Sequence, residues 1–272
     1  MSEQKSNLKM GTYVFDGEKY KQASRHQKKG GLKLISEINI RGDESILDLG
    51  CGDGFLSDVL SKLVPDGKVI GIDSSESMIE TAKKFEAFNL SFECNDINDI
   101  NYENCFDIIY SNAALHWVKN HHRLLNNSFK GLKPNGKLVW SFAADGTCSN
   151  FLAAVDEVMN ISMYQEFFVN YEWPWYMPDK NEYISLIERI GFKQFDVIYE
   201  NVDGNEYRHF TDTEEMIKWL DQPTLVPFLS YLPDDKKEGF RNKVVDIMID
   251  KTKQPDGKCF ETFGRLKINA IK

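Results

Sequence analysis

The chain has 272 residues, enough for one sizeable core, and its 42 acidic against 33 basic residues give a net charge of −9. With no dense basic stripe, that balance argues against a nucleic-acid substrate, whose binding leans on phosphate neutralisation. Five scattered cysteines give neither a disulfide framework nor metal-ligand spacing. No apolar run approaches the ~20 residues that span a bilayer, and Glu3, Lys5 and Lys9 interrupt any signal-peptide core, so a cytoplasmic protein without membrane contact is expected.

In chain order, the periodicity first predicts a helix over 20–37, with Leu32, Leu34 and Ile35 on its apolar side. Residues 46–54 then read Ile-Leu-Asp-Leu-Gly-Cys-Gly-Asp-Gly. A buried-strand pattern (Ile46, Leu47, Leu49) runs into three alternate glycines, Gly50, Gly52 and Gly54, and an amphipathic helix follows with Phe55, Leu56, Val59, Leu60 and Leu63 at helical spacing. Strand, glycine turn and helix let a ligand touch backbone at the carboxyl end of the first strand of a doubly wound sheet. A second strand over 68–72 ends in Asp73, a carboxylate able to accept hydrogen bonds from both hydroxyls of a ribose. Dinucleotide sites use Gly-x-Gly-x-x-Gly; this chain has Gly-x-Gly-x-Gly, and Asp53 stands where a pyrophosphate would meet its negative charge. The expected ligand is therefore a nucleoside without phosphate, and S-adenosylmethionine (SAM) fits.

Ser75 is the expected N-cap of the next helix, with Met78, Ile79 and Ala82 facing inward. A third strand over 90–93 leads to Asp96 and Ile97, an acid to read the adenine amine beside an apolar residue to cover its ring. A fourth strand over 106–110 runs into Ser111-Asn112-Ala113-Ala114-Leu115-His116-Trp117, and a turn over 133–137 precedes a fifth strand over 138–142. Ser74, Met78 and Asn112 complete the expected cofactor contacts. A helix opens at Asp179 and stops at Gly191, and 192–200 and 266–271 supply the last two strands. The fold class is α/β, a doubly wound, mostly parallel seven-stranded sheet with a helical lid inserted at the carboxyl edge. Residues 1–40 are assigned to an N-terminal helical lid segment and 41–145 to the SAM-binding core. Residues 146–180 and 210–258 form helical substrate-cap inserts, and 181–209 with 259–272 supply the remaining core helix and strands.

From about residue 15 to 145 the chain resembles class I SAM-dependent methyltransferases of the small-molecule type. Ser111 to Trp117 is similar to a segment of trans-aconitate 2-methyltransferases and juvenile hormone acid methyltransferases, and malonyl-carrier-protein methyltransferases carry a related one. Toward the C-terminus, Thr224 to Leu229, Leu232-Pro233, Asp256-Gly257 and Phe263 to Leu266 follow the trans-aconitate group in order; 147–210 does not align. In these families an N-terminal helix folds over the cofactor with a Tyr and, seven residues later, a Gln, the spacing of Tyr20 and Gln27.

The resemblance implies methyl transfer from SAM to a small acceptor, with the carboxylate of an organic acid as the leading choice and no metal. A carboxylate is already ionised at neutral pH and needs no general base. His116 is placed to hydrogen-bond that carboxylate and Trp117 to wall the cofactor, unless Trp117 is a core aromatic that fixes the loop. His121 and His122 are expected to form a solvated helix cap, and the rings between 164 and 176 to wall the acceptor. A carrier-bound carboxylate, a phenol, an amine or a carbon acceptor stays open, as does a regulatory module that binds SAM without turnover.

Overall fold

The computed structural model describes residues 25–201 and 207–272. Seven strands form one sheet: β1 (Ser45–Leu49), β2 (Lys68–Asp73), β3 (Leu90–Cys94), β4 (Phe106–Asn112), β5 (Leu132–Ala143), β6 (Gln194–Asn201) and, last in the chain, a strand over Gly264–Ile271. The order is β3-β2-β1-β4-β5, then the last strand, then β6. The first five pair in parallel, and the last strand is antiparallel to both its neighbours. The order reverses beside β1, between its β2 and β4 neighbours, and that switch point is where a doubly wound sheet opens a crevice at its carboxyl edge.

Helices cover both faces. On one lie α1 (Arg25–Ser36), α2 (Phe55–Leu63) and α3 (Glu76–Ala82), whose Leu34, Leu60 and Ile79 pack on Ile46, Ile108 and Tyr110. On the other lie α4 (His121–Gly131) and, later in the chain, a helix over Lys180–Ile190, whose Leu124, Tyr183 and Ile187 pack on Leu47, Ile109 and Trp140. Successive residues of each strand thus serve opposite cores, as the two-residue repeat requires. Full burial of Ile46, Leu47 and Leu49 contributes roughly 1.5–3 kcal/mol each.

Between β5 and β6 come α5 (Ser149–Met159), α6 (Ser162–Gln165) and α7 (Lys180–Ile190); between β6 and the last strand come β7 (Tyr207–Phe210), α8 (Thr213–Trp219), α9 (Val226–Leu229), α10 (Asp234–Thr252) and β8 (Cys259–Thr262), which makes the last strand β9. Apart from α7, these pieces form a cap with its own core, in which Phe151, Tyr164, Trp175, Phe228, Phe240 and Val244 are buried. Asp179 caps α7 by accepting from the amides of Asn181 and Glu182, and Gly191 ends it at φ 104°.

Two features depart from expectation. β7 and β8 form a separate antiparallel ribbon, so 207–209 and 259–262, assigned to the core, belong to the cap. The expected turn over 133–137 is absorbed into a long β5: Phe106 pairs with Leu132 but Ile108 with Lys137, and the extra residues bulge around Asn135 at φ 65°. α1 also carries two adjacent glycines, Gly30 and Gly31, which together cost about 2 kcal/mol of helix propensity relative to alanines.

Candidate functional site

The glycine turn is shaped by close approach as much as by dihedral angle. Gly50 has φ 72°, and a Cβ there would lie 2.2 Å from the Cβ of Ala114 in the turn after β4. Gly52, at φ 54°, has open space where its side chain would be. Gly54 serves packing: its missing Cβ admits Ala82 and Phe92 within 3 Å. The amides of Gly50 and Cys51 both donate to the carbonyl of Ile72, tying the turn to the end of β2. Ala113, across the crevice, holds φ 60°, a conformation that costs a non-glycine residue roughly 1–2 kcal/mol; its amide donates to the Ser141 carbonyl at 2.7 Å.

Together these elements enclose a crevice lined by Gln27, Lys28, the turn from Gly50 to Asp53, Asp73 to Ser75, Met78, Ile97, Asn112 to Ala114, His116 and Trp117, with Asp48, Phe55 and Leu56. Most of the expected site residues thus border one space. Gly54 and Asp96 do not line it. The Asp96 carboxylate is turned to cap the turn Ile97–Asp99, accepting from the Asn98 amide at 2.8 Å and its side-chain nitrogen at 2.9 Å, and Ile97 alone faces the crevice. Tyr20 lies outside the described residues.

Asp73 accepts from the amides of Gly52 (3.0 Å) and Ser75 (2.9 Å), which aims the carboxylate across the turn. Burial raises its pKa, and these backbone donors oppose the rise. Asp53 accepts from the amide of Phe55 at 3.3 Å, the place at a helix N-terminus where a phosphate would be taken. Lys28 of α1 pairs with it at 2.6 Å. Asp48, whose role the sequence left unassigned, is 2% exposed and accepts from Ser57 Oγ at 2.6 Å. Burial, with the charge of Asp73 adding to it, pushes its pKa up to about 7.

At the other end, the helical turn Leu115–Trp117 presents His116 and Trp117. His116 Nδ1 is buried without a hydrogen-bond partner, and burial, then the charge of Arg265, drives its pKa down to about 3, so the ring is neutral. The turn is held from two sides. The Tyr176 amide donates to the His116 carbonyl at 2.8 Å, and Trp175 packs edge-on against Trp117 at 5.5 Å. From below, His121 Nε2 meets the Leu115 carbonyl and Nδ1 meets Tyr183 Oη, both at 2.9 Å. His121 is therefore a buried ring, 2% exposed, and not a solvated cap. Its partner Tyr183 lies 62 residues away, a contact no local pattern signals. The rings between 164 and 176 also depart from expectation: none lines the crevice; Tyr164, Phe167, Phe168, Tyr171 and Trp175 pack into the cap core, as Tyr164 does on Phe240 at 5.2 Å, while Tyr176 packs on His121 at 4.6 Å. Trp117 takes both places weighed for it, at the crevice wall and against the cap core.

The chain matches a methyltransferase domain family over residues 40–225. It is 27% identical over 246 residues to an uncharacterised methyltransferase of Schizosaccharomyces pombe, covering 88% of this chain and 90% of that one. It is 26% identical over 264 residues to a trans-aconitate 2-methyltransferase of Variovorax paradoxus, covering 93% and 96%. A malonyl-[acyl-carrier protein] O-methyltransferase of Bacillus cereus is 36% identical over 127 residues, 45% of this chain and 47% of that one. Among solved structures, a phosphoethanolamine N-methyltransferase of Haemonchus contortus in complex with S-adenosyl-L-methionine shares the fold at TM-score 0.59 and 15% identity, covering 94% of this chain and 56% of that one.

Proposed function

The chain belongs to the methyltransferase domain family and is a SAM-dependent methyltransferase; from that premise we propose that its acceptor is the carboxylate of a small organic acid. When bound, SAM supplies a methyl group on a sulfonium that departs as a neutral thioether. The residues of the crevice suit it: Asp73 keeps lone pairs free of its two backbone donors for ribose hydroxyls, Met78 and Ile97 offer an apolar slot, and Asp48 gives a buried carboxylate for a cation.

The acceptor reading is carried by His116. A histidine held near pKa 3 is too weak a base to take a proton from a phenol or an ammonium at neutral pH. An acid that arrives ionised needs no base. It needs a donor to orient it, and the neutral imidazole of His116, at the crevice wall, provides one through its ring N–H. Trp117 keeps water from that end of the crevice, where reduced screening strengthens the attraction between the acceptor's negative charge and the donor's positive one. The names of two relatives, which act on trans-aconitate and a malonyl carrier protein, support the same acceptor group.

Incubating the protein with methyl-labelled SAM and a panel of organic acids, a malonyl thioester, phenols and amines tests this. Base-labile label on an acid is the expected product; label on phenols or amines alone would rule the carboxylate out. For the cofactor end, Asp73→Ala is expected to weaken SAM by about 1–3 kcal/mol through lost charge-assisted hydrogen bonds, read by titration calorimetry. Unchanged affinity would remove Asp73 from the ribose role.

A further inference from the structure

α1 lies against the crevice far more closely than an ordinary helix could. A Cβ on Gly31 would come within 2.3 Å of Leu56 Cδ1 and 3.0 Å of Asn112 Nδ2, and one on Gly30 within 3.1 Å of an Arg265 guanidinium nitrogen. The glycines that allow this approach also weaken the helix. Beside the Lys28–Asp53 pair to the glycine turn, its position then depends on what grips it from the sheet. Tyr110 Oη donates to the Gly31 carbonyl at 3.2 Å, and Asn112 Nδ2 donates to the Gln27 carbonyl at 2.9 Å.

The grip of Asn112 depends on which way its amide faces. Arg265 Nη2 donates to Asn112 Oδ1 at 3.1 Å and to the Ser141 carbonyl at 3.0 Å. A guanidinium can only donate, so the amide atom it meets must be the oxygen, and the NH2 is left pointing at α1. Both acceptors of Arg265 are neutral, and among the described residues no carboxylate comes within ion-pair distance of it. Arg265 sits at the start of β9, between Ala143 of β5 and Glu200 of β6, anchored to the rigid sheet. We infer that Arg265 is a positioning residue that orients the Asn112 amide, and that this pair latches the glycine-weakened α1 over the crevice and so slows departure of the cofactor. The inference rests on reading the crevice as the SAM site.

Asn112→Asp separates the two halves of the latch. The aspartate still accepts from Arg265, as an ion pair that preserves folding, but has no hydrogen to give the Gln27 carbonyl. In the free protein, hydrogen exchange of amides 25–36 is expected to rise about tenfold while that of β1 and β4 stays unchanged. SAM release, followed by stopped-flow Trp fluorescence, is expected to speed about tenfold. Arg265→Met, which leaves the amide free to flip, should shift both readings the same way. Wild-type exchange in α1 and wild-type release from Asn112→Asp would overturn the latch. So would a rise spread over the whole sheet, the mark of a merely structural role. Faster α1 exchange in the variants, with no SAM binding by the unaltered protein, would support the latch's grip on the helix and overturn the reading of the crevice.

Discussion

Asp48→Asn is expected to stabilise the free protein by about 2–4 kcal/mol at pH 8 while weakening SAM binding at least tenfold. The carboxylate is buried to 2% exposure with one hydroxyl donor, Ser57, and its pKa is pushed up to about 7. The sign follows from proton counts: between the unfolded value near 3.8 and about 7, the folded protein holds a proton that the unfolded chain has lost. Stability is therefore eroded as pH rises through this window, by roughly 1.4 kcal/mol for each pH step of one across it. Asparagine accepts the same Ser57 hydrogen bond and carries no charge to desolvate. A ligand that brings positive charge into the crevice reverses the balance, drawing the proton off Asp48, so SAM affinity should increase from pH 5 to pH 8 in the wild type and stay flat in the variant. Urea unfolding of both proteins at the two pH values provides the check. A stability gap equal at both, or a variant less stable than wild type, would mean that Asp48 is not a strained charge.

That cost is visible in the structure and hidden in the sequence, and the contrast shows where sequence reasoning has reach. β1, its glycine turn and Asp73 were legible because each is specified by neighbours in sequence: an apolar run needs a buried strand, alternate glycines need a turn, and an acid at a strand end faces the crevice. Asp48 stands in the middle of that motif, yet its environment is set by Ser57 on α2 and by Asp73 on β2. The Lys28–Asp53 pair spans 25 residues and the Arg265–Asn112 bond 153. No periodicity encodes such contacts. Gly30 and Gly31 were readable as residues, but their reason, the approach of Leu56, Asn112 and Arg265, exists only once the strands are ordered. The rings of 164–176 illustrate the opposite error. Many aromatics in one stretch looked like a pocket wall, whereas the cap, built outside the main sheet, needs a hydrophobic core of its own and uses most of them there.

The site consequently depends on three layers that a linear motif cannot report together. The glycine turn presents backbone, α1 closes over it, and the turn Leu115–Trp117 is clamped between the cap and α4. Of these, the clamp buries the polar pair His121 and Tyr183, which satisfy each other in the core.

His121→Phe is expected to destabilise the protein by about 1–3 kcal/mol at pH 7.5, because a ring of similar shape leaves the Tyr183 hydroxyl unpaired in the core and takes one of two donors from the Leu115 carbonyl, which keeps the Val118 amide at 2.9 Å. Nε2 faces a carbonyl and must carry the proton, so Nδ1 accepts from Tyr183; the neutral ring satisfies both. Burial accordingly lowers the His121 pKa to about 4. Here the linkage runs opposite to that of Asp48: between about 4 and the ordinary value of 6.5 the unfolded chain binds a proton that the folded ring refuses, so the stability His121 confers is complete above 6.5 and lost as pH falls through that window. His116, held near 3, acts in the same direction. The destabilisation caused by His121→Phe should therefore shrink on going from pH 7.5 to pH 5. Tyr183→Phe, which keeps the titrating ring and removes one donor, should cost about 1–2 kcal/mol and leave much of that pH dependence in place. If the His121→Phe penalty is the same at both pH values, the ring is not held neutral by its two partners, and the clamp beneath His116 must rest on packing alone.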